Sequence, residues 1–93
     1  MVKIYVVNWY GHKLQENIHG AIGITLDIPC AEIQICHGKH GDEDAHEAMT
    51  NAQHSSCRYV CVLSRNETNC RVYICSEDLA EYACEDIEVI RIG

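Results

Sequence analysis

The sequence predicts an α+β domain in which two helices cover one face of an antiparallel sheet. Three observations carry this expectation. Several short segments alternate apolar and polar residues with period two, the mark of half-buried strands. One segment spaces its apolar residues at i, i+3, i+4 and i+7 and another gathers its apolar residues on one side opposite its acids, the mark of helices with one buried stripe. Phe is absent, which leaves Ile, Val and Tyr to carry the packing, and these side chains suit a pleated, half-buried surface.

Val2, Ile4 and Val6 alternate with Lys3, Tyr5, Val7 and Trp9, giving a first strand with two usable faces. Residues 11–17 are polar and read as a loop. A second strand is expected over residues 21–28, where Ile22, Ile24, Leu26 and Ile28 alternate with Ala21, Gly23, Thr25 and Asp27. Gly20 and Gly23 leave room there for a neighbouring backbone. Past Pro29 the alternation changes parity, with Ile33 and Ile35 now carrying it, so a turn or bulge is expected at the proline. Residues 38–41 form a loop. Ala45, Ala48, Met49 and Ala52 predict a helix over residues 42–54. Asp42, Glu43 and Asp44 fall in its first turn, where carboxylates complement the helix dipole.

Residues 58–64 and 70–76 predict a hairpin closed by the loop 65–69. Setting Ser64 against Cys70 places Val62 across from Val72 and Val60 across from Ile74, one coherent apolar face. Tyr59, Cys61, Leu63, Arg71, Tyr73 and Cys75 make a mixed second face. Ser76 caps a short second helix. Leu79, Ala80, Tyr82, Ala83 and Cys84 share one side of it, and Glu77, Asp78, Glu81 and Glu85 the other. Residues 87–92 form the last strand.

From residue 31 the order is strand, helix, strand, strand, helix, strand. That is a ferredoxin-like βαββαβ core (about 31–92) preceded by two N-terminal strands, with right-handed crossovers. No linker or composition shift divides residues 1–93, which are expected to form one domain. Such a fold hosts many functions and assigns none.

Seven cysteines is an odd count. A disulfide scaffold prefers an even number and a leader, whereas residues 1–10 lack the apolar run of a signal peptide. No stretch approaches the ~20 apolar residues that span a bilayer. A soluble, cytoplasmic protein with free cysteines serving as small buried hydrophobes is therefore expected.

A zinc or redox alternative uses Cys30, Cys36, His37 and His40, since thiolate and imidazole are zinc ligands. No CxxC occurs, however, and adjacent residues on a strand point to opposite faces. Cys57 and Cys61 lie about 13 Å apart along a strand. Cys61 and Cys75 are diagonal neighbours in the hairpin register, roughly 7–8 Å apart and too far for an unstrained bridge. His46, Glu47, Thr50 and His54 form a polar helix face without the spacing of a zinc protease. No phosphate loop, dinucleotide fingerprint or nucleophile elbow is present, so neither an enzyme nor a resident cofactor is expected.

Charge gives the clearer asymmetry. Residues 1–41 are neutral, and the net charge of −7 lies entirely in residues 42–93. This sign disfavours direct contact with nucleic acid or an anionic membrane, and the aromatic and basic pattern of an RNA-recognition sheet is missing. The candidate binding residues are Asp42, Glu43, Asp44, Glu47, Glu77, Asp78, Glu81, Glu85 and Glu88. The expected partner is a protein with a basic surface, such as a nuclease or a nucleic-acid-binding complex, and the expected role is inhibition. Small acidic phage-encoded inhibitors of bacterial defence, anti-CRISPR proteins among them, share this profile of size, charge and missing motifs. The likeness is to that profile and not to a sequence.

Overall fold

The computed structural model describes residues 1–7, 15–37, 44–63 and 76–92. The strands are β1 (Val2–Val7), β2 (Ile33–His37), β3 (Tyr59–Leu63) and β4 (Glu88–Ile92). The helices are α1 (Gln15–Leu26), α2 (Ala45–His54) and α3 (Ser76–Ala80), and Cys30–Glu32 forms one 3-10 turn. The strands lie in the order β2-β1-β3-β4, and every neighbouring pair is parallel. The expected antiparallel, ferredoxin-like sheet is thereby overturned.

Parallel neighbours require long crossovers, and each crossover here carries a helix. The chain steps from β1 to β2 in one direction, then back past β1 to β3 and on to β4. Right-handed crossovers that reverse direction place their helices on opposite faces of the sheet. α1 accordingly covers one face, while α2 and α3 cover the other.

Two cores result, one on each face. Ile18 and Ile22 of α1 pack on Ile4, Val6, Ile33, Cys61 and Ile90. Ala48, Met49 and Ala52 of α2, with Leu79 of α3, pack on Tyr5, Val7, Val60 and Val62. The register supports this division. Tyr5 pairs with Cys36 and with Val60, and Val60 with Val89, so one row crosses all four strands on the α2 side.

The largest local correction is α1, which occupies most of the span expected as loop and strand. Ile22, Ile24, Leu26 and Ile28 satisfy period two, but Ile18, Ile22 and Leu26 also satisfy the four-residue spacing of a helix face. The helix buries Ile18 and Ile22 and leaves Ile24 85 % exposed. In a strand, Ile22 and Ile24 would have shared a face.

Both long helices end with a left-handed residue that is not glycine. Asp27 has φ 55° and Ser56 φ 57°. The Ile28 N–H then donates to the Gly23 carbonyl, and the Cys57 N–H to the Ala52 carbonyl, the 6→1 bond of a Schellman motif. The parity change at Pro29 is thus the exit from a helix followed by the 3-10 turn, not a bulge between strands.

The two glycines of α1 differ in what surrounds them. A Cβ at Gly20 would touch nothing within 4 Å, whereas one at Gly23 would lie 2.9 Å from the Ile28 carbonyl oxygen and 3.4 Å from the Cys30 sulfur. Gly20→Ala is expected to stabilise the fold by about 0.5–1 kcal/mol through helix propensity. Gly23→Ala is expected to destabilise it by about 1–3 kcal/mol through overpacking. Urea unfolding of the two variants checks the opposite signs.

The helix expected over 42–54 is present as α2 from Ala45 to His54; Asp44 is its N-cap rather than a first-turn residue, its carboxylate accepting from the Glu47 N–H at 2.8 Å. The hairpin register is excluded, because β3 is already bonded to β1 on one side and β4 on the other. Residues 64–75, which hold the expected partner strand and loop, lie outside the described residues. The second helix is shorter than expected, with turns replacing it after Ala80.

Candidate functional site

The acidic candidates gather mainly around the α2–α3 layer. Asp44 is exposed at the start of α2 and Glu47 half-buried one turn later; Asp78, Glu81 and Glu85 are exposed along α3 and the turns after it. The His46 and Tyr82 rings meet edge-on with centroids 5.2 Å apart, which joins the outer side of α2 to the segment after α3. Glu77 lies on α3, but its side chain is outside the described residues, as are Asp42 and Glu43.

Glu88 belongs to a different row. It pairs with Tyr59, which pairs with Ile4, so its strand position faces the α1 side. It is nevertheless exposed, at the amino-terminal end of β4. There it meets a broad, open groove of about 1090 Å³ that also includes Arg58, Glu85 and Asp86, with Cys57 and Ile87 among its lining.

Sequence reasoning passed over Asp86 and Arg58. The run Glu85-Asp86-Ile87-Glu88 was the available signal for Asp86, obscured by tracing the acids along a helix that stops sooner. Arg58 was assigned only to a strand.

Of the alternative metal ligands, the two whose side chains are described, Cys30 and Cys36, are not brought together. Cys30 is exposed in the 3-10 turn and its thiol donates to the His19 carbonyl of α1 at 3.6 Å. Cys36 packs against the core beneath α2, on the opposite face. His40 and the His37 side chain lie outside the described residues. Among the described residues no three His, Cys, Asp or Glu side chains are placed to hold a metal ion.

Cys30, Cys36, Cys57, Cys61 and Cys84 are free thiols. Cys57 and Cys61 face opposite cores, so their sequence spacing has no coordinating consequence. Burial pushes the Cys61 thiol up to about 12. Burial does the same to Cys57, aided by a hydrogen bond with the Cys36 thiol and by that group's charge, against the opposing pull of Lys3. Reactive and metal-binding cysteines need the thiolate, which burial disfavours at both positions, and both side chains pack in the cores. Cys75 lies outside the described residues.

No described helix is long and apolar enough to cross a membrane. No family model, curated protein or solved structure matches this chain.

Proposed function

We propose that this protein is a non-enzymatic binding module that docks its acidic α2–α3 side onto a basic surface of a partner protein. The observation that supports the reading is the separation of charge between the two helical layers. Asp44, Asp78, Glu81, Glu85 and Asp86 are exposed around α2 and α3. The described side chains of α1, from Ile18 to Leu26, include no Asp, Glu, Lys or Arg.

Carboxylates gathered on one side repel one another mildly, and a basic partner surface relieves that repulsion. The partner class that fits is a protein whose basic groove otherwise holds nucleic acid, such as a nuclease, and occupation of that groove would inhibit it. A reducing cytoplasm is the compartment that fits the free thiols.

The test is capture from native extract at low and high salt, with wild type and with the triple variant Glu81→Lys, Glu85→Lys, Asp86→Lys. Wild type is expected to retain a basic protein at low salt and release it at high salt, because exposed charges are screened beyond about 10 Å at 0.1 M. The triple variant is expected to lose that partner while melting within a few degrees of wild type. Equal retention by both proteins would sink the reading.

A further inference from the structure

We infer that β2 is a self-association edge, and that two copies of this chain pair antiparallel through it to form one continuous sheet. β2 stands at the end of the strand order. Among the described residues it pairs with β1 alone, in an unbroken register from Val2–Ile33 to Val6–His37. Its outer side therefore offers a row of backbone N–H and C=O groups to a further strand.

Natural sheets protect such edges with charge, proline, a bulge or a covering element. Ile33, Gln34, Ile35 and Cys36 include no charge and no proline, and the regular pairing with β1 leaves no bulge. The opposite outer strand differs. β4 carries exposed Glu88 and Arg91, and exposed Glu85 and Asp86 precede it. Exposed Glu32 precedes β2 as well, so the contrast lies within the strands: β4 carries charge and Ile33–Cys36 does not.

The occupant that fits is a second copy. A net charge of −7 opposes self-association through the acidic side, and β2 is the strand farthest from β4. Antiparallel pairing about a two-fold axis near Gln34 and Ile35 brings identical uncharged segments together, as an isologous interface requires. It also carries the exposed Glu32 of each copy toward opposite ends of the joint. Ile35 and Cys36, half-buried in one chain, gain cover from the neighbouring strand.

The geometry has a consequence for orientation. An axis that pairs two edges antiparallel runs perpendicular to the sheet, so the α2–α3 layers of both copies lie on the same side. The dimer would present two acidic surfaces in one direction. The pairing itself does not depend on the binding role proposed above.

Gln34 is exposed and close to the axis, so a charge there meets its own copy directly or diagonally, within reach of a long side chain. Sedimentation equilibrium in reducing buffer, across a wide range of micromolar concentration, is run on wild type, Gln34→Lys, Gln34→Glu and an equimolar mixture of the two variants. Wild type is expected to approach twice the 10.5 kDa chain mass. Each variant alone is expected to associate roughly five-fold more weakly, or less, and the mixture to recover. Amide exchange at residues 34–36 of wild type is expected to slow as concentration rises. A wild-type chain that stays monomeric, a dimer indifferent to both charges, or a mixture no more associated than its components would each overturn the inference.

Discussion

Ile4→Ala is expected to destabilise the protein by about 2–5 kcal/mol. Ile4 is 0 % exposed and lies on β1, which is bonded on both sides, to Ile35 and to Tyr59. Its side chain packs in the core formed by Ile18, Ile22, Ile33, Cys61 and Ile90. Truncation there removes apolar contact and leaves a cavity that a two-sided strand cannot collapse to fill. Whole domains are held by only ~5–15 kcal/mol, and each kcal/mol moves the midpoint by roughly 4–8 °C at this size. The melting temperature is expected to fall by at least about 10 °C. The informative control is Ile24→Ala, expected to change stability by less than ~0.5 kcal/mol because Ile24 faces solvent. In a strand reading Ile24 shares the greasy face with Ile22, and its truncation would be as damaging as that of Ile4. Equal costs at positions 4 and 24 would count against the parallel architecture.

That pair of residues also shows how far the sequence could be read. β1, β2, α2, β3 and β4 stand close to where periodicity places them, since each has one dominant pattern. α1 has two. Its isoleucines fit both period two and a four-residue step, and β-branched side chains tilted the reading toward strand. Reading α1 as a strand added a second leading strand, while the antiparallel topology followed from reading residues 58–64 and 70–76 as a hairpin, a register excluded by the pairing of β3 with β1 and β4. A second signal was present. Tyr5, Val6 and Val7, and likewise Val60, Cys61 and Val62, are buried without interruption. Continuous apolar runs belong to parallel strands covered on both faces. The face holding Tyr59, Cys61 and Leu63 looks mixed in the sequence because the hairpin register adds Arg71 and Tyr73 to it; in the fold Cys61 is fully buried there, with Tyr59 half-buried beside it.

The helix ends were hidden for another reason. Left-handed caps are usually glycine, and here Asp27 and Ser56 fill those positions. The exposure of the acidic residues was more legible than the fold. Asp44, Asp78, Glu81 and Glu85 are exposed as expected, because charge avoids burial in any topology. What composition could not convey was the partition. Only the order β2-β1-β3-β4 sets the described side chains of α1, Ile18 to Leu26, none of them charged, against the acidic layer of α2 and α3.

Raising the pH above 9 is expected to destabilise the folded protein through Cys57 and Cys61. The thiols are 4 % and 0 % exposed, and both are raised from 9.0 to about 12. Below 9.0 neither state of the chain has lost these protons, so the full contribution of the neutral thiols is present. Between 9.0 and about 12 the unfolded chain gives up its protons while the folded chain keeps them. The unfolded state then binds fewer protons, and stability falls as pH rises. For Cys61, shifted by burial alone, the gap corresponds to roughly 4 kcal/mol at most. Because the two thiols face opposite cores, their effects are expected to add. Tyrosine and lysine titrate in the same range, so the decisive measurement is a difference. Cys61→Ala carries a small cavity cost at every pH but lacks one of the titrating groups. Its urea-unfolding stability is expected to fall less steeply above 9.0, by up to about 1.4 kcal/mol per pH unit, so the gap to wild type narrows as pH rises. Parallel curves would mean that the Cys61 thiol ionises as freely in the fold as outside it. Iodoacetamide at neutral pH supplies the complementary result. Exposed Cys30 is expected to react in the folded protein while Cys57 and Cys61 are spared. The sulfur that is so abundant in this sequence would then behave as packing beneath α1 and α2, and the charged surface above α2 and α3 would remain the part available to a partner.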